Sequence, residues 1–161
     1  MLKRNLICLD GYRQLVERFP NVAQPHADLA WLLATCPDAK FRDAAQALEG
    51  AKKAVKFAPE SAVSWQVLGW AHYRTGAWKA SIEALEKSIE LQKDGGDTGQ
   101  WFTLAMAHWQ LEHKDEARKW YDRAVAWMDK NQEALKKSRH DWEQVSSFRA
   151  EAAELLEIKK K

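Results

Sequence analysis

Apolar residues recur along this chain at steps of three and four, and the steps reset at Pro, Gly and Asp. Leu6, Leu9, Tyr12, Leu15, Val16 and Phe19 trace one stripe, which predicts an amphipathic helix from about Asn5 to Arg18, stopped by Pro20. A second stripe, Leu29, Trp31, Leu32 and Leu33, predicts a helix over about Gln24–Thr35 that ends at Cys36-Pro37-Asp38, with a loop to Arg42. Asp43 is placed to cap a third helix carrying Ala47, Leu48, Ala51, Ala54, Val55 and Phe57, and Pro59 lies just past its end. Ser61 or Ala62 opens a fourth helix through Arg74, Gly76 makes the turn, and Trp78, Ile82, Leu85 and Ile89 mark a fifth. The Asp94–Gly99 stretch reads as a turn offering Asp or Thr as N-cap. A sixth helix is expected over Gln100–Leu111, a seventh over Lys114–Asp129, and one long trailing helix loosely over Gln132–Ile158. No alternating apolar–polar run is flanked by hairpin turn signals, so the chain reads as all-helical.

The helices repeat. Trp65, Leu68, Gly69, Ala71 and His72 return as Trp101, Leu104, Ala105, Ala107 and His108, each 36 residues on. A constant period of roughly 20–50 residues marks a stack of supersecondary units, each unable to bury its apolar faces alone. The pattern is a leading helix, three short antiparallel pairs and a trailing helix. The leading helix looks like the second half of a further pair, so the chain reads as a piece of a longer array.

These residues resemble the tetratricopeptide repeat, whose pattern is W-x2-L-G-x2-Y, then A-x3-F, then P. Trp65-x2-Leu68-Gly69-x2-His72 matches with His for Tyr, and Ser81-x3-Leu85 stands in for A-x3-F. Trp101-x2-Leu104-Ala105-x2-His108 and Ala117-x3-Tyr121 form the next copy. Ala47-x3-Ala51 with Ala54 and Pro59 reads as the second helix of a less regular pair. The resemblance implies an all-α, right-handed superhelical stack of antiparallel helix pairs, an α-solenoid, with a C-terminal capping helix. The expected division of residues 1–161, one domain, is a leading half-repeat at 5–20, repeats at 24–59, 62–95 and 98–130, and a cap at 132–158. Leu29 to Asp38 also looks like a variant found in arrays within large bacterial multidomain proteins, some of which carry a Ser/Thr kinase domain.

Helical geometry puts Leu68, Gly69 and His72 on one face and Gln66, Trp70 and Tyr73 on a second, about a third of a turn away. In the resembled family the first helix of each pair lines a concave groove. The resemblance therefore assigns Trp31, Gln66, Trp70, Tyr73, Arg74, Phe102, Met106, Trp109 and Gln110 to that groove, with Trp70, Tyr73 and Trp109 as expected anchors. Members that clamp a peptide carboxylate use Lys, Arg and Asn there. Here Trp31, Trp70 and Met106 occupy those places and only Arg74 is cationic nearby, which favours an apolar or amphipathic peptide. The rival reading is that the trailing helix or a second copy covers these side chains.

Composition changes this picture little. The 161 residues are 46% hydrophobic and 30% charged, a globular balance. The net charge of +2 gives no field for nucleic acid or an anionic membrane, and Lys159-Lys160-Lys161 reads as a solvated end. No signal peptide or spanning segment is evident, and a cytoplasmic location is expected. Cys8 and Cys36 read as free, buried or semi-buried thiols, with nothing to support a disulfide.

Catalytic, cofactor and metal residues are expected to be absent. His72 and His108 fill the family's Tyr slot, with core hydrogen bonds as the plain reading. His108 and His113, five apart, are expected on different helix faces, with Glu112-His113 as the turn between helices; His140-Asp141 is expected as a solvated pair, and Gly95–Gly99 as a turn too poor to cradle phosphate. The expected function is a non-catalytic protein-interaction scaffold whose partner is a peptide or a domain of the same parent protein. The alternative is self-association as a homodimer through Trp120, Trp127 and Trp142 or the open face of the leading helix. A third reading, from another class, is a metal or small-molecule site at His72 and His108.

Overall fold

The computed structural model describes residues 2–36 and 38–158, with side chains described for 8–36, 38–138 and 142–158. The stop at Pro37, the Leu6 position of the leading stripe, the His140-Asp141 pair and the terminal lysines lie outside the described residues or side chains. All regular structure among the described residues is helical: α1 (Leu2–Arg18), α2 (Ala23–Thr35), α3 (Ala44–Phe57), α4 (Ala62–Arg74), α5 (Trp78–Gln92), α6 (Thr98–Gln110), α7 (Lys114–Lys130), α8 (Gln132–Lys137) and α9 (Arg139–Leu155), plus a 3-10 turn at Ala39–Phe41. The chain divides into two compact units, one up to Asp94 and one from Gly95 onward.

In the first unit α2 packs on α3, α4 on α5, α4 also on α2 and α3, and α1 on α2. The helices start where their caps allow. Asp43 accepts from the Gln46 amide at 2.9 Å and opens α3, and Ser61 accepts from Ser64 at the start of α4. The buried face of α3 is Ala47, Ala51 and Ala54, all fully buried, so the two backbones come close: a Cβ on Gly50 would stand 3.2 Å from the Cβ of Ala30. The α4–α5 pair is closer still. Gly69 faces Leu85, and two serines bond across the pair, Ser81 Oγ donating to the Gly69 carbonyl at 2.8 Å and Ser88 Oγ to Ala62 at 2.7 Å. Serine satisfies its hydroxyl there without holding the helices apart.

In the second unit α6 packs on α7, and α9 packs on α6 and α8. Asp97 and Gln100 form a reciprocal capping box that starts α6 at Thr98, two residues earlier than the apolar pattern indicates. The α7 stripe Ala117, Tyr121, Ala124 and Met128 is buried, as are Phe148, Ala152 and Leu156 in the C-terminal segment. The single trailing helix expected over Gln132–Ile158 is two helices. Ser138 leaves helical geometry (φ −104, ψ 103), which breaks α8 from α9.

The recurring tryptophans have a shared task. Trp65 Nε1 donates to the Pro59 carbonyl at 2.7 Å, and Trp101 Nε1 donates to the Gly95 carbonyl at 2.8 Å. Each indole thus ties down the loop six residues upstream of it. In the second unit Arg123 adds a bond to the same Gly95 carbonyl (3.0 Å) and lies 4.4 Å above the Trp101 ring. Both cysteines are free; Cys36 is buried, but Cys8 is exposed rather than semi-buried, because α1 turns that side outward.

Candidate interaction surface

The C-terminal ends of the first helices carry the side chains left partly open. In the first unit Arg74 Nε, at the end of α4, donates to the Ala34 carbonyl near the end of α2 at 2.8 Å. Its guanidinium also lies 5.5 Å from the Tyr73 ring. This cation is therefore committed to joining two helices. Trp31 on α2 and Tyr73 on α4 remain partly exposed. In the second unit Trp109 and Gln110 are partly exposed at the end of α6, with Lys114 Nζ 5.3 Å from the Trp109 ring.

Four of the nine groove residues are buried instead. Gln66 and Trp70 are 7% and 6% exposed, and Phe102 and Met106 are both at 0%. Phe102 meets Tyr121 of α7 edge-on at 5.7 Å, and α9 packs on the same helix as Phe102. Within the second unit, α7 and α9 both pack on the helix that carries Phe102 and Met106. Helical geometry groups these residues on one face correctly, yet a face can be aimed at a neighbour as well as at solvent.

The turns after α4 and α6 are built alike. In the first, the Ala77 amide donates to the His72 carbonyl (3.0 Å) and the Gly76 amide to Tyr73 (3.1 Å), with Gly76 at φ 77. In the second, the His113 amide donates to His108 (2.9 Å) and Glu112 to Trp109 (3.0 Å), with Glu112 at φ 61. This paired closure is a Schellman motif, and the left-handed residue reverses the chain direction. The reversal brings the His113 ring back onto His108. Their centroids lie 5.6 Å apart and their Nδ1 atoms 3.4 Å apart. The expectation that five-residue spacing separates these rings holds only inside a continuous helix, and the helix ends at Gln110.

His72 sits where the plain reading wants a core hydrogen bond, but its Nδ1 is buried with no partner among the described residues. Burial pushes its imidazole below the ordinary value of 6.5, the Lys52 charge pushes the same way, and Glu83 opposes. Burial and then the neighbouring His113 also hold His108 down. For His72 the unfolded chain takes up a proton near pH 6.5 that the folded chain still refuses, so stability falls as pH drops below about 6.5 and levels off only beneath the folded pKa. His72→Phe removes that proton. Urea midpoints at pH 7.5 and 5.5 are expected to separate less in this variant than in the parent; an equal separation would locate the acid sensitivity elsewhere.

Among the described residues no helix is long and apolar enough to cross a membrane, and no group of three or more His, Cys, Asp or Glu is placed to hold a metal ion. Adjacent helix pairs, tryptophan-tied loops and close approaches at Gly50 and Gly69 define a helical-repeat protein of the α-solenoid class. Residues 62–94 and residues 99–131 each match a family model described as Tetratricopeptide repeat. The chain thus carries two segments of the tetratricopeptide repeat type. It also resembles solved structures. One described as "Crystal structure of MamA" shares 20% identity at a TM-score of 0.60, covering 92% of this chain and 82% of that one. Another, "Crystal structure of MamA protein", shares 19% at 0.60 over 92% and 77%. At that identity the likeness speaks for the fold. No curated protein matches the sequence. Repeats of this family form a protein-interaction fold that is generally non-catalytic, so the chain is a protein-interaction scaffold in the general sense.

Proposed function

We propose that the first unit captures an apolar or amphipathic peptide, or a domain of the same parent protein, through Trp31 and Tyr73 at the ends of α2 and α4. The observation that carries this is the Arg74–Ala34 bond, which ties the ends of α4 and α2 together, with one partly exposed aromatic on each of the two helices. Aromatic anchors held on a rigid frame are the residues from which binding surfaces draw most of their affinity. Arg74, already bonded to a carbonyl, supports the frame rather than a ligand carboxylate, which fits the preference for apolar ligands. Trp109 and Gln110 form a separate candidate patch on the second unit. Gln66, Trp70, Phe102 and Met106 serve from beneath as the core that fixes the helices. In this reading the repeats keep the limits 24–59, 62–95 and 98–130, and the scaffold works in a cytoplasmic setting with no catalytic role.

The test is selection of helical peptides from a displayed library on the parent chain, followed by affinity measurement on Trp31→Ala/Tyr73→Ala. Loss of one anchor typically costs about 2 kcal/mol or more, so removal of both is expected to weaken binding by at least about thirtyfold with helix content unchanged. Peptides that bind both chains equally would sink the reading. A second reading, self-association, is supported by Trp127, which is 41% exposed on α7. Light scattering over a concentration series decides it, since a strict monomer removes it.

A further inference from the structure

We propose that His108 and His113 form a two-imidazole chelate for a divalent transition-metal ion of the Zn2+ class, at the turn between α6 and α7. Their Nδ1 atoms face each other at 3.4 Å. Two nitrogens each ~2.0–2.1 Å from a tetrahedral Zn2+ stand roughly 3.3–3.4 Å apart. The separation therefore matches the bite such an ion requires, and each ring has to turn so that its lone pair leaves the line between the two nitrogens and aims at the ion.

The pair is not needed to close the turn. The preceding repeat makes the same two backbone bonds with Ala77 in the place of His113, 36 residues earlier. A second imidazole at this position is thus added to a turn that closes without it. His113 is exposed and His108 partly so, which leaves an approach for the ion. Glu112 and Glu116 lie at the turn, each paired to a lysine, Lys114 at 3.2 Å and Lys119 respectively, so the two imidazoles rather than the local charge carry the site. No third protein ligand converges among the described residues, so water completes the coordination. Binding uses both Nδ1 lone pairs. Without metal, one ring donates its Nδ1 proton to the other; with metal, that ring carries the proton on Nε2, and no net proton is released.

An ion held here pins the end of α6 to the start of α7, and a ligand that binds only the folded form raises its stability. The experiment is calorimetric titration of the untagged chain with Zn2+ alone, with thermal unfolding recorded in parallel. One equivalent is expected to bind and to raise the Tm. His113→Ala is expected to keep the parent's helix content, since Ala77 serves the equivalent turn, and to weaken binding about tenfold or more. His108→Gln provides an independent second variant with the same expected loss. Absence of stoichiometric binding to the parent, or unchanged affinity in both variants, would overturn the proposal.

Discussion

Phe102→Ala is expected to destabilise the second unit by about 3–5 kcal/mol, the range for removing a buried aromatic ring from a packed core. Phe102 has no exposed surface, and its ring meets Tyr121 edge-on at 5.7 Å. Removing it leaves a hole beside Tyr121 in a close-packed interior, so collapse around the hole is incomplete. A loss of this size approaches the whole stability of a small unit, so partial unfolding near room temperature is expected. Denaturant unfolding followed by circular dichroism measures it. The same variant separates two views of the residue. A groove residue would cost binding and leave stability within about 0.5 kcal/mol, as surface changes do. That outcome would return Phe102 to the interaction surface and remove it from the core.

Gly69→Ala is expected to destabilise the first unit by about 1–3 kcal/mol, although alanine is the better helix former by roughly 1 kcal/mol. A Cβ at Gly69 would lie 2.5 Å from Leu85 Cγ and 2.6 Å from Cδ2, and Leu85 is itself fully buried. To relieve the clash the helices must separate or Leu85 must leave its rotamer within a closed interior. The Ser81–Gly69 bond at 2.8 Å resists that separation. Gly11→Ala is the matched control. Gly11 lies within α1, and a Cβ added there would meet nothing within 4 Å, so propensity alone acts and stability should rise by up to about 1 kcal/mol. Opposite signs from one chemical change on two helices are the expected result. If both substitutions stabilise, the α4–α5 crossing is looser than the geometry indicates.

Much of this is legible in the sequence because local rules set local structure. The Trp65–Trp101 period, the caps at Asp43 and Ser61, and the stop after Phe57 follow from side chains acting within a few residues of themselves. The small residue at position 69 can be read as a close approach, since only a missing side chain explains a glycine inside a strong helix pattern. The interaction surface is less legible. Trp31, Tyr73, Arg74, Trp109 and Gln110 keep some exposure, whereas Gln66, Trp70, Phe102 and Met106 do not. Periodicity assigns residues to faces, but it carries no information on which distant helix lies opposite. The His108–His113 pair escapes sequence reasoning for a related reason. Its signal is Glu112 standing where the previous repeat has Gly76, and the left-handed turn there has to be read from that alignment.

By itself, then, the sequence determined the first seven helices, their pairing and the resemblance to the repeat family, because each rests on short-range spacing and on a repeat that can be counted. Only the tertiary structure decided that α9 would pack on α6, that the trailing segment would break at Ser138, and that Arg74 would reach Ala34. The packing of α9 and the Arg74 bond join residues far apart in the chain. They form because burying one more apolar face lowers the free energy of the folded unit, and that gain depends on shapes no local pattern records.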